Sequence, residues 1–172
     1  MKKNFFLLTF ISTFMLFSQE NHPYLEKVKT LDSTLTTLYA VISGDKGEER
    51  NWDLFHYLFH KEAKLIPSTK TNEGVYTVRY LTPKEYIETS GKWLVENGFH
   101  EKEIFRKTDV FGNITQVFST YESYYSKNDE KPFMRGINSI QLLFDGIRYW
   151  VINIYWTQET QENPIPENYI KP

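Results

Sequence analysis

Residues 114–156 decide the fold, and they read ITQVFSTYESYYSKNDEKPFMRGINSIQLLFDGIRYWVINIYW. This part of the chain holds three segments rich in β-branched and aromatic residues, which favour strands. The segments are residues 114–125, 135–144 and 149–156. The link Asp145-Gly146 indicates a short hairpin, because both central positions of the favoured turn need positive φ. The polar link 126–132 predicts a longer hairpin loop.

The alternation of side chains along these segments predicts which residues face inward. In the third segment the more apolar face carries Trp150, Ile152, Ile154 and Trp156. If that face points inward, cross-strand pairing brings Asn138 beside it. Tyr121 of the first segment then borders the same space.

The preceding residues predict helices that cover this sheet. Leu31, Leu35, Leu38 and Ile42 repeat at helical spacing, so we expect one helix over residues 22–44. Further elements follow in chain order. They are a short helix capped by Asn51, strands at 63–66 and 75–81, a helix from the capping box Thr82–Glu85 to about Glu96, and an edge strand at 99–110. Helices segregated from a mostly antiparallel sheet define an α+β fold.

Composition narrows the classes of function. The chain has 172 residues, no cysteine and a formal net charge of -2. Thiolate catalysis and cysteine-type zinc sites are therefore excluded, and no basic surface indicates nucleic acid or an anionic membrane as a partner. Phosphate-binding glycine loops and serine-hydrolase motifs are absent from the sequence.

The N-terminus predicts export to the periplasm or the extracellular space. Lys2 and Lys3 precede an apolar segment at residues 5–17, which is short for a membrane span. An uncleaved membrane anchor is the alternative, because no clear cleavage site follows. The predicted organisation is a secretory signal at 1–19, a domain at 20–157 and a polar tail at 158–172.

The order of these elements, together with certain residues, resembles the nuclear transport factor 2-like superfamily in its SnoaL-like bacterial branch. The resemblance rests on three groups of residues. They are Trp52-Asp53-Leu54-Phe55-His56-Tyr57-Leu58-Phe59, then Phe111-Gly112-Asn113-Ile114 leading to Ser119-Thr120-Tyr121-Glu122, and last Arg135 to Leu142 with Asp145-Gly146 and Trp150. It covers residues 24–157.

The resemblance implies a cone, in which a curved, mostly antiparallel sheet of about six strands wraps around three helices. It further implies a pocket at the wide end and, often, a homodimer. The family includes isomerases, dehydratases and members without an assigned reaction, so the fold does not define the function. No acidic residue matches the catalytic base of the isomerases, and no His-Asp pair matches the dehydratases. No catalytic residue is therefore transferred.

Five residues are predicted to bind a ligand in this pocket. They are Tyr39, His56, Tyr121, Asn138 and Trp150. Tyr39, Tyr121 and Asn138 could instead be hydrogen-bonded groups of the core without a role in ligand binding. Trp150 could instead serve core packing.

Two further groups of polar residues are interpreted differently. His56 and His60 are four residues apart, but Glu62 and His100 lack the spacing of a third ligand, so no metal site is predicted. Glu101, Glu103, Arg106 and Lys107 are predicted to form a solvated charged face.

Three functions are compatible with this sequence. The first is an exported module that binds a small, largely apolar molecule without a cofactor. The second is a cofactor-independent acid–base enzyme of isomerase or dehydratase type that uses His56 or a tyrosine. The third is a non-catalytic, dimeric interaction protein with a filled pocket.

Overall fold

The first helix begins where the sequence supplies a capping residue. In the computed structural model, which describes residues 22–171, helix α1 spans Leu31–Ile42, and the Thr30 side chain accepts a hydrogen bond from the backbone N–H of Ser33 at 3.0 Å. A separate 3₁₀ turn spans Leu25–Lys27. The single helix predicted over residues 22–44 is therefore divided, because the capping box of Thr30 and Ser33 starts a new helix at Leu31.

The other helical segments also begin at predicted caps. Helix α2 spans Trp52–Leu58, and Asn51 caps it by accepting from the N–H of Leu54 at 2.9 Å. Beyond the capping box of Thr82 and Glu85 lies one continuous helical segment. It comprises helix α3 at Pro83–Tyr86, a π-helical turn at Ile87–Gly91 and helix α4 at Lys92–Asn97.

Six strands form one curved sheet. They are β1 (Phe59–Lys70), β2 (Tyr76–Val78), β3 (His100–Phe111), β4 (Ile114–Tyr124), β5 (Met134–Phe144) and β6 (Tyr149–Gln158). Their spatial order is β2-β1-β6-β5-β4-β3, and all neighbouring pairs are antiparallel except β1 with β6. The predicted α+β cone is confirmed, and β3 is the edge strand that its mixed charges indicated.

A bulge in β6 changes which of its side chains face the core. Gln141 of β5 pairs with Asn153, whereas the next residue, Leu142, pairs with Val151, so Ile152 is the extra residue. Val151 and Ile154 are consequently both buried. The predicted alternation fails at this point, because one inserted residue exchanges the two faces of a strand.

The core lies between the inner face of the sheet and the helices. Leu35 of α1 and Phe55 of α2 pack into the same buried cluster as Val117, Ile140 and Val151. Burying a side chain of this size contributes about 1.5 to 3 kcal/mol each. These contacts place α1 directly over the inner face of strands β4 to β6.

The outer face of the sheet carries the end of the chain. The Thr120 hydroxyl donates to the Tyr169 carbonyl at 2.6 Å, and Ile165 is buried. The tail predicted from residue 158 therefore lies on the sheet. Among residues 22–171, no helix combines the length and the apolar character needed to cross a membrane. The predicted signal at 1–19 lies outside the described residues.

Candidate functional site

A cavity of about 220 Å³, open to solvent at one side, lies between α1, the helical segment 83–97 and the inner face of the sheet. Most of its wall is apolar, and polar side chains interrupt that wall at six positions. The six polar lining residues are Tyr39, Tyr86, Ser90, Glu101, Tyr121 and Asn138. A cavity of this kind, with few polar groups among apolar ones, is typical of a small-molecule site.

Tyr39 of α1 is hydrogen-bonded to polar residues on the sheet, and the bonds form a chain with a defined direction. Asn138 Nδ2 donates to Tyr39 Oη at 3.1 Å, and Tyr39 Oη lies 2.6 Å from Ser119 Oγ. Ser119 Oγ donates to Glu103 Oε1 at 2.5 Å. Because the only hydroxyl proton of Ser119 is used in that bond, Tyr39 donates to Ser119. The Tyr39 proton is thus directed away from the cavity.

Glu101 places a carboxyl group in the cavity wall. The residue as a whole is only partly buried, but its carboxyl group is enclosed by the protein. Burial raises the pKa of Glu101 to about 7, and hydrogen bonds from Ser123 and Asn138 oppose this rise. The Ser123 hydroxyl donates to Glu101 Oε2 at 2.9 Å. A carboxyl group poised near neutral pH can both accept and return a proton.

Tyr86 and Tyr121 provide phenol groups beside Glu101. Burial, and secondly the negative charge of Glu101, raise the pKa of both phenols, so they are protonated at neutral pH. Neither hydroxyl forms a hydrogen bond with a residue in 22–171, whereas Tyr39 bonds both Ser119 and Asn138. Both phenols are therefore available to donate to an oxygen atom in the cavity.

The structure brings together three of the five predicted ligand-binding residues. Tyr39, Tyr121 and Asn138 all line the cavity and are 5%, 2% and 7% exposed. Their role in binding a ligand stays a prediction. The expectation that they converge on one space rested on an inward face of β6 that pairs with β5. The structure pairs Asn138 with Trp156, and Ile154 and Trp156 line the cavity, whereas the bulge removes Trp150 from that face.

His56 and Trp150 lie elsewhere. His56 lines a separate surface depression together with His60. Trp150 is turned to the other face of β6 by the bulge, where its ring stacks on the guanidinium of Arg148 at 3.6 Å and its Nε1 donates to Asp145 at 2.6 Å. Residues 22–171 contain no cluster of three side chains suited to a metal ion.

The sequence analysis missed Glu101 and Tyr86. Glu101 was assigned to a solvated charged face, but its side chain shares the inner face of the sheet with Ser123, its partner on β4. The signal that could have identified it is its position two residues after the buried Phe99, on the same face of a strand. Tyr86 follows Pro83 by three residues and so lies within the first turn after the capping box.

Comparison with known proteins identifies the fold. An NTF-2-like protein of unknown function from Silicibacter pomeroyi superposes with a TM-score of 0.53 at 12% identity, over 75% of this chain and 92% of that chain. A protein of unknown function with a cystatin-like fold from Nostoc punctiforme gives a TM-score of 0.57 at 7% identity, over 76% and 89%. The fold implied by the resemblance is confirmed.

A third solved structure is named a "putative ketosteroid isomerase", from Parabacteroides distasonis. It superposes with a TM-score of 0.51 at 9% identity, over 76% of this chain and 89% of that chain. No protein-family model matches the chain, and no curated protein is similar to it. At these identities the likeness defines the fold alone.

Proposed function

We propose that this chain, which has the fold of nuclear transport factor 2-like proteins, binds a small, largely apolar molecule that carries an oxygen atom. The observation that supports this most strongly is the pair of unpartnered phenols, Tyr86 and Tyr121, beside Glu101 in an apolar cavity. Neither hydroxyl is among the fully buried, unbonded polar atoms of residues 22–171, so both are accessible from the cavity. A ligand oxygen that accepts from one of them would gain a hydrogen bond worth about 0.5 to 1.5 kcal/mol.

The cavity size limits the ligand. An apolar cavity of about 150 Å³ is enough to bind benzene. The cavity of about 220 Å³ therefore suits one ring with a small polar substituent. Leu38 and Ile42 of α1 and Ile154 of β6 supply the apolar contacts for that ring, and Asn138 and Glu101 lie at its polar side.

Phenol and toluene test this proposal, because they differ only in the substituent on the ring. We expect wild-type protein to bind phenol more tightly than toluene in isothermal titration calorimetry. Tyr121→Phe should weaken phenol binding about twofold to tenfold, the loss of one neutral hydrogen bond, and leave toluene binding unchanged. Tyr155→Phe is the matched control, since Tyr155 is 46% exposed on the outer face. Equal affinities for the two probes in wild-type protein would contradict the proposal.

A second candidate is a cofactor-independent acid–base enzyme of isomerase or dehydratase type. It is favoured by Glu101, whose pKa of about 7 suits a group that exchanges protons at neutral pH. In such a reaction the Glu101 carboxylate removes a proton from a carbon next to a carbonyl group. Tyr86 and Tyr121 donate to the oxygen on which negative charge develops. Glu101 then returns the proton to another carbon or to an oxygen that leaves as water.

Export of this binding protein is a further part of the proposal. It is supported by Lys2, Lys3 and the apolar segment 5–17. When the whole chain is expressed in a Gram-negative bacterium, we expect the periplasmic fraction to hold a form that lacks about the first 19 residues. Intact-mass spectrometry of that fraction checks this. A full-length chain recovered only with the inner membrane would support the uncleaved anchor instead.

Homodimer formation stays a prediction, to be measured by light scattering.

A further inference from the structure

The cavity opens to solvent beside Trp93. This residue lines the cavity and is nevertheless 43% exposed, so its ring lies where the cavity wall meets water. Phe99 lines the cavity next to it and is almost fully buried, with 5% of its surface exposed. The ring centroids of Trp93 and Phe99 are 6.2 Å apart in an edge-on arrangement.

Two more aromatic rings extend this opening outward. Tyr125 and Phe133 stack with ring centroids 4.1 Å apart and planes 16° from parallel. Tyr125 lies 6.3 Å from Trp93, and Phe133 lies 6.2 Å from Phe99. The four rings thus form a closed ring of contacts, which we call the aromatic rim. Neither Tyr125 nor Phe133 lines the cavity itself.

The backbone fixes the rim in place. Trp93 is on α4, Phe99 precedes β3, Tyr125 follows β4 and Phe133 precedes β5, so four parts of the fold converge there. Gly98 allows this convergence, because it has φ of +76° and a Cβ at its position would lie 2.6 Å from the Tyr125 carbonyl oxygen. The rim is therefore held by backbone packing as well as by contacts between rings.

The two outer rings of the aromatic rim are only partly covered by the rest of the fold. Tyr125 is 48% exposed and Phe133 is 39% exposed, and they contact Trp93 and Phe99, the two rings that line the cavity. A contiguous group of exposed aromatic rings at the mouth of a cavity is typical of a binding surface. The cavity of about 220 Å³ holds one substituted ring, so any larger ligand must extend over this rim.

We propose that the aromatic rim binds a second, flat apolar ring of the ligand. The ligand class is then a two-ring apolar molecule, whose oxygen-bearing ring occupies the cavity and whose other ring packs against Trp93, Tyr125 and Phe133. This inference rests on the proposed function, since it assigns the ligand class of the same site. Offset or edge-on packing of aromatic rings provides the added affinity.

Phenol and 4-phenylphenol test this inference, because the second contains the first plus one flat ring. We expect wild-type protein to bind 4-phenylphenol at least about tenfold more tightly than phenol, as measured by calorimetry. Tyr125→Ser and Phe133→Ser should each reduce this ratio to about threefold or less and leave phenol affinity unchanged. Both side chains are half-exposed and outside the cavity, so each variant should fold and should lower the melting temperature by no more than about 2 to 8 °C.

Tyr80→Ser is the matched control, because Tyr80 is 67% exposed and is neither in the rim nor in the cavity wall. It should leave the affinity ratio unchanged. Equal binding of the two probes by wild-type protein would overturn the rim proposal while the phenol site stands. An equal loss in Tyr80→Ser would also overturn it, by showing non-specific adsorption. If wild-type protein binds neither probe, the proposed function itself fails.

Discussion

Arg50→Ala is expected to lower the free energy of unfolding by roughly 3 to 5 kcal/mol, because a buried charged donor is lost from a network of backbone carbonyl groups. Arg50 is 7% exposed, and its guanidinium donates only to backbone carbonyls among residues 22–171. Nε donates to Ile42 O at 3.0 Å, and Nη2 donates to Gly44 O at 2.8 Å and to Leu94 O at 3.0 Å. Nη1 donates to Glu48 O.

These bonds join the end of α1 to α4. The Ile42 carbonyl belongs to the last turn of α1, which has no partner within its own helix, and a cation is favourable at that end. Without the guanidinium, Gly44 O keeps the bond from the Phe99 N–H at 3.0 Å, whereas the Ile42 and Leu94 carbonyls lose the donor that Arg50 supplies. Each of these two costs about 1 to 3 kcal/mol if it stays buried and unpaired. Because Ile42 and Leu94 both line the cavity, the same substitution should loosen its wall.

Urea unfolding followed by circular dichroism measures this effect. Arg79→Ala is the matched control, since Arg79 is exposed on the segment after β2, and it should change stability by less than about 0.5 kcal/mol. Arg50→Lys should fall between wild type and Arg50→Ala, because one ammonium group cannot reach all four carbonyls. A loss below about 1 kcal/mol in Arg50→Ala would show that these bonds contribute little.

Features set by a few neighbouring residues could be predicted from the sequence. The capping box of Thr82 and Glu85 and the Asn51 cap each depend on side chains within four residues, and both are present. A hairpin also forms at Asp145-Gly146, but its loop spans residues 145–148, and Gly146 has positive φ whereas Asp145 does not. The convergence of Tyr121 and Asn138 was also predicted, from the apolar face of β6 and its pairing with β5. It is present although Trp150 does not belong to that face, because Ile154 and Trp156 do.

Features set by distant contacts could not be predicted. The bulge at Ile152 leaves no mark in the alternation of β6, and it exchanges the expected faces of Trp150 and Val151. Whether Glu101 faces the cavity depends on its pairing with Ser123 and on the position of α1 above it. The residues around Arg50 are charged and predict an exposed loop. Only the tertiary structure reveals the carbonyl groups that surround its guanidinium.

Glu101→Gln is expected to stabilise the protein above pH 7 by up to about 3 kcal/mol, the value of a pKa difference near 2.5 units. Burial raises the pKa of Glu101 to about 7 in the folded protein, whereas the ordinary pKa of a glutamate is 4.5. Between these two values the folded protein keeps a proton that the unfolded chain has released. The free energy of unfolding therefore falls as the pH rises from about 4.5 to 7. Glutamine stays neutral, so the variant avoids this loss.

The difference between wild type and variant should vary with pH in a defined way. In urea unfolding, Glu101→Gln should match wild type near pH 4, where both side chains are neutral, and should exceed it most at pH 8. Glu62→Gln is the matched control, because Glu62 is an exposed glutamate on β1, and it should show no such pH dependence. A stability difference that is the same at pH 4 and pH 8 would contradict an ionising Glu101 in the cavity.

A substitution that stabilises the fold while it removes an acid–base group would distinguish the two candidate functions. Exchange of the methyl protons of acetophenone in D₂O, followed by proton NMR at pH 8, measures proton abstraction next to a carbonyl group. If the site is catalytic, wild-type protein should accelerate this exchange, and Glu101→Gln should reduce the acceleration by at least about 100-fold, the usual contribution of a positioned base. Binding of acetophenone should persist in the variant, because Tyr86 and Tyr121 still donate to its carbonyl oxygen.

If acetophenone binds but wild-type protein does not accelerate exchange, the ionisable Glu101 serves ligand binding alone.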